Sequence, residues 1–186
     1  INVRDTNFYN ITYRYDANGN RVEMTDQFGL ITRYSYDALN RLQTLTDPDG
    51  GITTYYYDAI GQLVGTTYPT GTRVVQQYNQ ANLLTKITNI KSTGQIISSF
   101  EYTYNFNANR VSMKEANGAT TNYAYDIENR LTRVAYPDGS QTQYQYDTRN
   151  NLVQTTQLSG GIITDTILNT YDIENRLLQS GATTYT

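Results

Sequence analysis

Aromatic and polar residues alternate in short stretches along the whole chain. Five stretches hold Thr or Phe, then Tyr, then Tyr at every second position: Thr32-Tyr34-Tyr36, Thr53-Tyr55-Tyr57, Phe100-Tyr102-Tyr104, Thr121-Tyr123-Tyr125 and Thr142-Tyr144-Tyr146. The positions between them are mostly polar, as in Gln141, Gln143 and Gln145. Because successive side chains of a β-strand point to opposite faces, this period predicts strands with one aromatic and one polar face. No stretch shows a helical period.

The aromatic stretch returns at a nearly fixed interval. Each copy ends in a tyrosine followed by Asp or Asn, and this anchor tyrosine numbers the copies: Tyr15, Tyr36, Tyr57, Tyr78, Tyr104, Tyr125, Tyr146 and Tyr171. Five of the seven intervals are 21 residues long, and the other two are 26 and 25. Such a period is typical of repeat arrays, in which each unit is stabilised by its neighbours.

A short turn is predicted after every anchor tyrosine. It opens with a carboxylate or amide residue: Asp16, Asp37, Asp58, Asn79, Asn105, Asp126, Asp147 and Asp172. Two places before the aliphatic residue that closes the copy stands Asn or Gly: Asn20, Asn40, Gly61, Asn82, Asn109, Asn129, Asn150 and Asn175. Both residue types tolerate positive φ, so a left-handed backbone is expected in all eight. The first and fifth copies carry one extra loop residue.

A second turn falls between successive anchors. It is marked by a glycine in each copy: Gly29, Gly50, Gly71, Gly94, Gly118, Gly139 and Gly160. Pro or Asp precedes several of these glycines, which is ordinary turn chemistry. Each copy is therefore predicted to contribute two antiparallel strands. The two longer intervals predict lengthened hairpins near Ile90–Ile97 and Ile162–Asn169. We call the strand that leads to an anchor tyrosine the rising strand, and Thr183–Thr186 resembles a ninth one.

The predicted fold class is all-β, with tandem β-hairpin repeats forming one continuous antiparallel sheet. About eight hairpins supply roughly sixteen strands, and open sheets rarely exceed about ten strands without curling. We therefore expect the sheet to curl into a spiral or partial barrel. The domain prediction is a single array over residues 1–186, a fragment of a larger shell that is truncated at both ends.

Composition narrows the possible functions. Tyrosine occurs 19 times, hydrophobic residues make up only 38% and the net charge is −3. A nucleic-acid or anionic-membrane partner needs a basic surface, so neither is expected. The chain has no Cys and no His, which removes thiolate metal sites and histidine-based catalysis. No apolar stretch approaches the roughly 20 residues that span a membrane, and no cofactor is predicted.

Three residue types could carry chemistry, and for each a structural role is favoured. The tyrosine stripe could stack on sugars, but its presence in every repeat favours contacts between neighbouring hairpins. The recurrent Asp residues favour turn capping over calcium binding or catalysis. The arginines at strand starts (Arg21, Arg41, Arg110, Arg130 and Arg176) favour ion pairs within or between repeats over an anion site. No catalytic, cofactor or metal residue is predicted. The structural repeat signature is Tyr15, Asp16, Tyr36, Asp37, Arg41, Tyr57, Asp58, Tyr78, Tyr104, Arg110, Tyr125, Asp126, Arg130, Tyr146, Asp147, Tyr171, Asp172 and Arg176.

The pattern Tyr-x-Tyr-Asp-x-x-Asn-Arg-Leu with a following turn glycine resembles the YD repeat of Rhs-type proteins. The resemblance runs from about Tyr13 to Thr184, with local departures such as Gln76 and Asn169 for the first tyrosine. It implies a secreted or cell-surface protein whose hairpins wind into a hollow shell. In bacterial Rhs proteins and Tc-toxin C components such a shell holds a toxic domain, and in teneurin-type proteins it is linked to adhesion.

Two functions follow from the residues and the resemblance together. The first is a non-enzymatic wall segment whose partners are the remaining YD repeats and an enclosed toxin or other domain. The alternative is an extracellular adhesion module that binds glycans or proteins through exposed tyrosines. An acid/base enzyme is disfavoured, because no carboxylate pair stands apart from the repeats.

Overall fold

The computed structural model describes residues 2–4 and 10–185, with side chains from Asn10 onward. Thr186, part of the predicted ninth rising strand, lies outside the described residues. The described part contains eighteen strands, assigned to one antiparallel sheet, and no helix. It accordingly contains no helix that could cross a membrane. The all-β, antiparallel fold class is confirmed, while the curling of the sheet stays a prediction.

The strands are short and closely spaced. The first nine are β1 (Asn2–Arg4), β2 (Asn10–Tyr15), β3 (Arg21–Thr25), β4 (Ile31–Tyr36), β5 (Leu42–Thr46), β6 (Ile52–Tyr57), β7 (Leu63–Thr67), β8 (Arg73–Tyr78) and β9 (Leu84–Ile90). The others are β10 (Ile96–Tyr104), β11 (Arg110–Glu115), β12 (Thr120–Tyr125), β13 (Leu131–Ala135), β14 (Gln141–Tyr146), β15 (Leu152–Ser159), β16 (Ile162–Tyr171), β17 (Leu177–Ser180) and β18 (Thr183–Thr184).

The chain divides into two compact units. The first comprises Ile1–Asn79 and Lys86–Ser99, and the second comprises Gln80–Thr85 and Phe100–Thr186. In the first unit, β1 to β8 pair in sequence order, each antiparallel to the next. In the second, the end of β10 and strands β11 to β18 do the same. The single array over residues 1–186 stays a prediction.

The turn after each anchor tyrosine has one geometry. In the seven turns that follow the anchors other than Tyr78, the N–H of the third residue after the opening Asp or Asn donates to the carbonyl of that opening residue, as from Asn40 to Asp37 at 3.0 Å. That third residue has positive φ in all eight copies: Gly19, Asn40, Gly61, Asn82, Ala108, Asn129, Asn150 and Asn175. A type I turn followed by a left-handed residue is a common hairpin connection.

The predicted left-handed backbone is wrong at Asn20 and Asn109. In these two copies Gly19 and Ala108 have positive φ instead, at 85° and 61°. The turn is set by the hydrogen bond that the carbonyl of its opening residue accepts, so the left-handed position is counted forward from Asp16 or Asn105. The extra loop residue consequently lies after that position, and Asn20 occupies the place that Arg41 takes in the second copy.

A bulge accompanies seven of the eight turns. The anchor tyrosine pairs with the sixth residue after it, and one residue of the strand that follows the turn is then skipped in the register. The skipped residues are Val22, Gln43, Val64, Val111, Thr132, Val153 and Leu178. Bulges of this kind increase the local twist of a strand pair, and here they recur with the repeat.

The two predicted lengthened hairpins are present. Strands β9 and β10 have 7 and 9 residues, and β15 and β16 have 8 and 10, against 5 or 6 in most of the other strands. The β15–β16 connection is a two-residue turn, Gly160-Gly161, in which both residues have positive φ. Two glycines suit the type I′ turn that joins a tight hairpin.

The described residues contain almost no conventional hydrophobic core. Val134, with 6% of its surface exposed, is the only buried hydrophobic residue among them. The other buried residues are small: Gly65 and the polar residues Thr53, Thr66, Thr88, Ser99, Thr121 and Thr156. Most tyrosines of the aromatic face are half-buried. Stability therefore depends on contacts between neighbouring hairpins.

Candidate functional site

The opening Asp of each turn binds the turn's own backbone. In the second copy, Asp37 Oδ1 accepts the backbone N–H groups of Leu39 and Arg41, at 2.9 and 3.0 Å. The other oxygen, Oδ2, accepts Arg41 Nε at 2.7 Å. The same three bonds recur at Asp126 and Asp172. The sequence explains this because a carboxylate at a turn start can satisfy backbone donors two and four residues ahead.

The predicted ion pair is confirmed for three arginines, Arg41, Arg130 and Arg176. At Arg21 and Arg110 the structure shows a different contact, because the extra loop residue moves each arginine beyond the turn. Their guanidinium groups pack over tyrosine rings, with Arg21 4.5 Å from the ring centre of Tyr34 and Arg110 5.1 Å from that of Tyr123. In the first copy Asn20 takes the place beside the carboxylate, donating its side-chain amide to Asp16 at 3.0 Å.

Neighbouring turns are linked laterally through amide groups. The side-chain amides of Asn18 and Asn20 both donate to Asn40 Oδ1 in the next turn, at 3.2 and 2.8 Å. The second unit repeats this arrangement from Asn107 and Asn109 to Asn129, at 2.8 and 2.7 Å. Further links run from Arg41 to Asp58, from Arg130 to Asp147 and Asn150, and from Asn151 to Asn175. The left-handed asparagine thus also accepts bonds from the preceding turn.

The anchor tyrosines connect each hairpin to the one before it. Every anchor from Tyr36 onward donates its hydroxyl to the carbonyl of the sixth residue after the preceding anchor. The donor–acceptor distances lie between 2.6 and 3.1 Å, and the seven acceptors are Arg21, Leu42, Leu63, Leu84, Arg110, Leu131 and Leu152. The bond is kept in both lengthened copies, where its sequence separation rises from 15 to 20 and 19. We name this contact the repeat junction.

Arginine completes two of these junctions. The guanidinium of Arg41 lies over the ring of Tyr57, 4.6 Å from its centre, and Arg130 lies in the same way over Tyr146 at 4.8 Å. Each arginine therefore contacts the Asp of its own turn and the tyrosine of the next hairpin. Cation–π contacts of this kind contribute about 0.5–1 kcal/mol at exposed sites.

The pKa shifts of the aspartates and tyrosines in the turns and repeat junctions fit a structural role for these side chains. The hydrogen bond from the Asn20 amide holds the pKa of Asp16 below its usual value, and the Arg41 backbone N–H does so for Asp37. At Asp126, burial favours the neutral form, but the backbone and side-chain bonds from Arg130 outweigh it and lower the pKa. Burial raises the pKa of Tyr104 and Tyr146, which keeps both hydroxyls protonated as donors.

All eighteen predicted signature residues lie at the turns, at the repeat junctions or in the strand positions beside them. The signature tyrosines Tyr15 and Tyr78 end strands β2 and β8, and Asp58 accepts the N–H groups of Ile60 and Gln62. Within the described residues no group of three or more acidic side chains could hold a metal ion. The sequence did not predict the carbonyl acceptors of the junction, because a backbone carbonyl carries no signature in the sequence.

Asn129 allows the turn geometry and the lateral links to be separated. Replacing Asn129 by Ala is expected to destabilise the protein by about 1–3 kcal/mol, since the left-handed backbone is costly with a Cβ and the two amide bonds are lost. Asn129→Gly keeps the backbone conformation, so it should cost less than Asn129→Ala. Urea unfolding followed by circular dichroism measures both variants.

Ala108 supplies the control for this prediction, because it already has φ of 61° at the corresponding position. Ala108→Gly is expected to stabilise the protein or leave it unchanged. Equal stability of Asn129→Ala and the unsubstituted protein would contradict the proposed role of Asn129.

Tandem hairpins, with turns opened by Asp or Asn and a tyrosine junction between neighbours, define a β-hairpin repeat protein of the YD type. A family model described as RHS Repeat matches residues 15–54, 57–95, 107–141 and 128–162, well over half of the chain. The chain belongs to the RHS repeat family, and the resemblance noted from the sequence is confirmed.

Solved structures give the same fold. The chain is 20% identical to part of a TcdB2–TccC3–TEV crystal structure, covering 91% of this chain and 10% of that one, with a TM-score of 0.78. It is also 20% identical to part of the Photorhabdus luminescens Tc holotoxin pore with a substituted TccC3, covering 93% and 10%, with a TM-score of 0.79. This chain therefore spans about a tenth of the length of these relatives. No curated protein sequence matches it.

Proposed function

We propose that this chain is a non-enzymatic segment of an Rhs-type β-hairpin wall that encloses or presents a toxin or other domain, in a secreted or cell-surface protein. Its immediate partners are further YD repeats of the same polypeptide, as in the single array predicted over residues 1–186. The observation that carries the proposal is the repeat junction, which seven anchor tyrosines form with the same geometry. The structural likeness to the TccC3-containing holotoxin pore supports it.

The distribution of contacts favours a wall over an active site. The opening carboxylates are occupied by backbone N–H groups and arginines in repeat after repeat. A catalytic site concentrates perturbed groups in one place, whereas this chain spreads equivalent groups along its length. The hydroxyls of the anchor tyrosines Tyr36, Tyr125 and Tyr171 are likewise bonded to carbonyls. The anchor tyrosines therefore do not favour adhesion through free hydroxyl groups.

Proteolysis of the complete natural polypeptide tests the proposal. We expect limited trypsin treatment to leave both this segment and the domain behind the wall uncut, as identified by mass spectrometry. Tyr57→Ala with Tyr146→Ala should weaken two junctions and expose cleavage sites outside residues 1–186. The control Phe106→Ala changes a fully exposed aromatic side chain and should leave the cleavage pattern unchanged. Cleavage of the rest of the polypeptide at the same rate with and without intact junctions would refute the wall function.

A further inference from the structure

Two of the eight copies place an arginine where the other six have leucine. The position is the sixth residue after the anchor tyrosine. It is arginine in the first and fifth copies, at Arg21 and Arg110, and otherwise Leu42, Leu63, Leu84, Leu131, Leu152 and Leu177. Arg21 pairs with Tyr15 and Arg110 with Tyr104, so both lie on the aromatic face, and we name them the arginine sites. A charge at an apolar position breaks the repeat pattern, and such breaks are expected where a residue has a function.

Each guanidinium contacts tyrosines of the two neighbouring strands. Strand β3, which carries Arg21, pairs with β2 on one side and β4 on the other. Arg21 lies over the rings of Tyr13 in β2 and Tyr34 in β4, 5.6 and 4.5 Å from their centres. Arg110 of β11 has the same contacts with β10 and β12, at 5.3 and 5.1 Å. All four rings belong to the tyrosine two places before an anchor, so the two units contain the same arrangement.

The N–H groups of both guanidinium groups are left without a protein acceptor. Among the residues that the structure describes, neither arginine side chain forms an ion pair or donates a hydrogen bond. Their own turns hold no free carboxylate, because the side-chain amide of Asn20 occupies Asp16 and the fifth turn opens with Asn105. A tyrosine ring contacts the face of a guanidinium and leaves its edge, with up to five N–H donors, open to an anion.

The repeat junction fixes the backbone of each arginine site. The carbonyl of Arg21 accepts the hydroxyl of Tyr36, and that of Arg110 accepts the hydroxyl of Tyr125, both at 2.9 Å. Arg110 is exposed and Arg21 is half-buried, so neither is closed off from solvent. Because the backbone is held and the side chain is stacked on rings, little conformational freedom remains to be lost when a ligand binds.

We propose that each arginine site binds the carboxylate of a Glu or Asp side chain, in a polypeptide segment that lies against the aromatic face. The planar guanidinium fork matches a carboxylate with two parallel hydrogen bonds. One cation also balances one carboxylate. A phosphate group carries about −1.5 to −2 charges, and in the described chain no second cation lies over Tyr34, Tyr102 or Tyr123.

The surroundings of the arginine sites favour a peptide over a free carboxylate. The neighbouring positions of this face are mostly tyrosine and leucine. Apolar residues beside the acidic side chain therefore gain contact area, and they exclude water from the ion pair, which strengthens it. The proposal is independent of the wall function, because it requires only that the aromatic face of this chain is accessible.

NMR of the protein with isotope-labelled arginine tests the proposal, with capped Ala-Leu-Glu-Leu-Ala as the probe. We expect the Nε–Hε signals of Arg21 and Arg110 to shift saturably with this peptide. The same peptide with Gln in place of Glu should bind at least fivefold more weakly, as should acetate and inorganic phosphate. Equal binding of the Gln peptide or tighter binding of phosphate would overturn the carboxylate assignment, and equal binding of acetate would overturn the peptide source.

Substitution by the residue of the other six copies removes the sites without disturbing the repeat. Arg21→Leu with Arg110→Leu should lower peptide affinity at least tenfold, measured by saturation transfer to the peptide. The matched control is Arg73→Leu with Arg133→Leu, which removes two charges from exposed residues on the opposite face. It should change affinity less than twofold.

Equal effects of the two double variants would refute the arginine sites. Circular dichroism of each variant shows whether its fold is kept. If the leucine variant unfolds, Arg21→Lys with Arg110→Lys supplies the comparison, because it keeps the charges and loses the planar fork. We expect it to bind the Glu peptide at least threefold more weakly than the unsubstituted protein, and unchanged affinity would contradict recognition by the guanidinium.

Discussion

Replacing Tyr57 by Ala is expected to lower the free energy of unfolding by about 2–4 kcal/mol, more than the loss of any single turn residue. Three contacts are lost together. The half-buried ring leaves the aromatic face, the hydroxyl no longer donates to the Leu42 carbonyl at 3.0 Å, and Arg41 loses the ring 4.6 Å below its guanidinium. Because each hairpin is stabilised mainly by its neighbours, few other contacts compensate.

Tyr57→Phe separates these contributions. It keeps the ring and the arginine contact but removes the hydroxyl, so the expected cost is about 1 kcal/mol, with somewhat more if the Leu42 carbonyl is left without a donor. Tyr146 provides an independent copy in the second unit, with its hydroxyl 2.9 Å from the Leu131 carbonyl and Arg130 over its ring. Tyr146→Ala is therefore also expected to lower the free energy of unfolding more than Tyr146→Phe does.

Urea unfolding followed by tyrosine fluorescence and far-UV circular dichroism measures these losses. Phe106→Ala is the control, because this aromatic side chain is fully exposed at the tip of a turn. It should change stability by no more than about 0.5 kcal/mol. If Tyr57→Ala were no more harmful than Phe106→Ala, the anchor tyrosines would not hold the hairpins together.

The hairpins, their turns and their period could be predicted from the sequence because local chemistry determines them. An Asp followed three residues later by Asn or Gly specifies a turn through bonds within five residues, as at Asp37 and Asn40. Alternation of Thr, Tyr and Tyr specifies which face is aromatic. The lengthened hairpins followed from the two longer intervals. These features need no knowledge of how the hairpins contact one another.

The contacts between repeats could not be predicted in the same way. The acceptor of the Tyr36 hydroxyl is the backbone carbonyl of Arg21, and a carbonyl carries no signature in the sequence. The misplaced left-handed residues have a similar origin. Counting back from the aliphatic residue gave Asn20, whereas the backbone bond of the turn counts forward from Asp16 and selects Gly19.

One residue position serves two contacts in this array. The left-handed asparagine is required by the backbone of its own turn, and in Asn40 and Asn129 its side chain also accepts amides from the turn before. Arg41 similarly forms an ion pair with Asp37 in its own turn and packs on Tyr57 of the next hairpin. A consensus residue with a local role in its turn is therefore also part of the junction between repeats, which explains why the signature is repeated as a unit.

Acidification is expected to destabilise the protein progressively below about pH 4. The pKa is held below its usual value for six aspartates: Asp16, Asp37, Asp126, Asp138, Asp147 and Asp172. For most of them a side-chain or backbone donor of the same turn is the largest cause, such as the Asn151 amide at Asp147 or the Arg176 N–H at Asp172. At Asp126 the bonds from Arg130 outweigh the opposing effect of burial.

The sign follows from proton uptake. Near pH 4 and below, the unfolded chain binds protons at these carboxyl groups while the folded turns still hold them ionised. Stability is therefore complete above the unfolded pKa near 3.8 and is lost as the pH falls through the lower folded values. Urea midpoints measured between pH 7 and pH 2 should remain level in the upper part of this range and fall in the lower part.

Asn105 shows how to test the cause, because it opens the fifth turn with an amide in place of a carboxylate. Its Oδ1 still accepts the N–H groups of Asn107 and Asn109, both at 3.0 Å. Asp37→Asn should therefore keep the turn but remove one titrating group, which makes the loss of stability with acid less steep. Asp165→Asn, at a strand position outside these turns, should leave the steepness unchanged. If both variants gave the same acid dependence as the unsubstituted protein, the turn carboxylates would not be responsible for it.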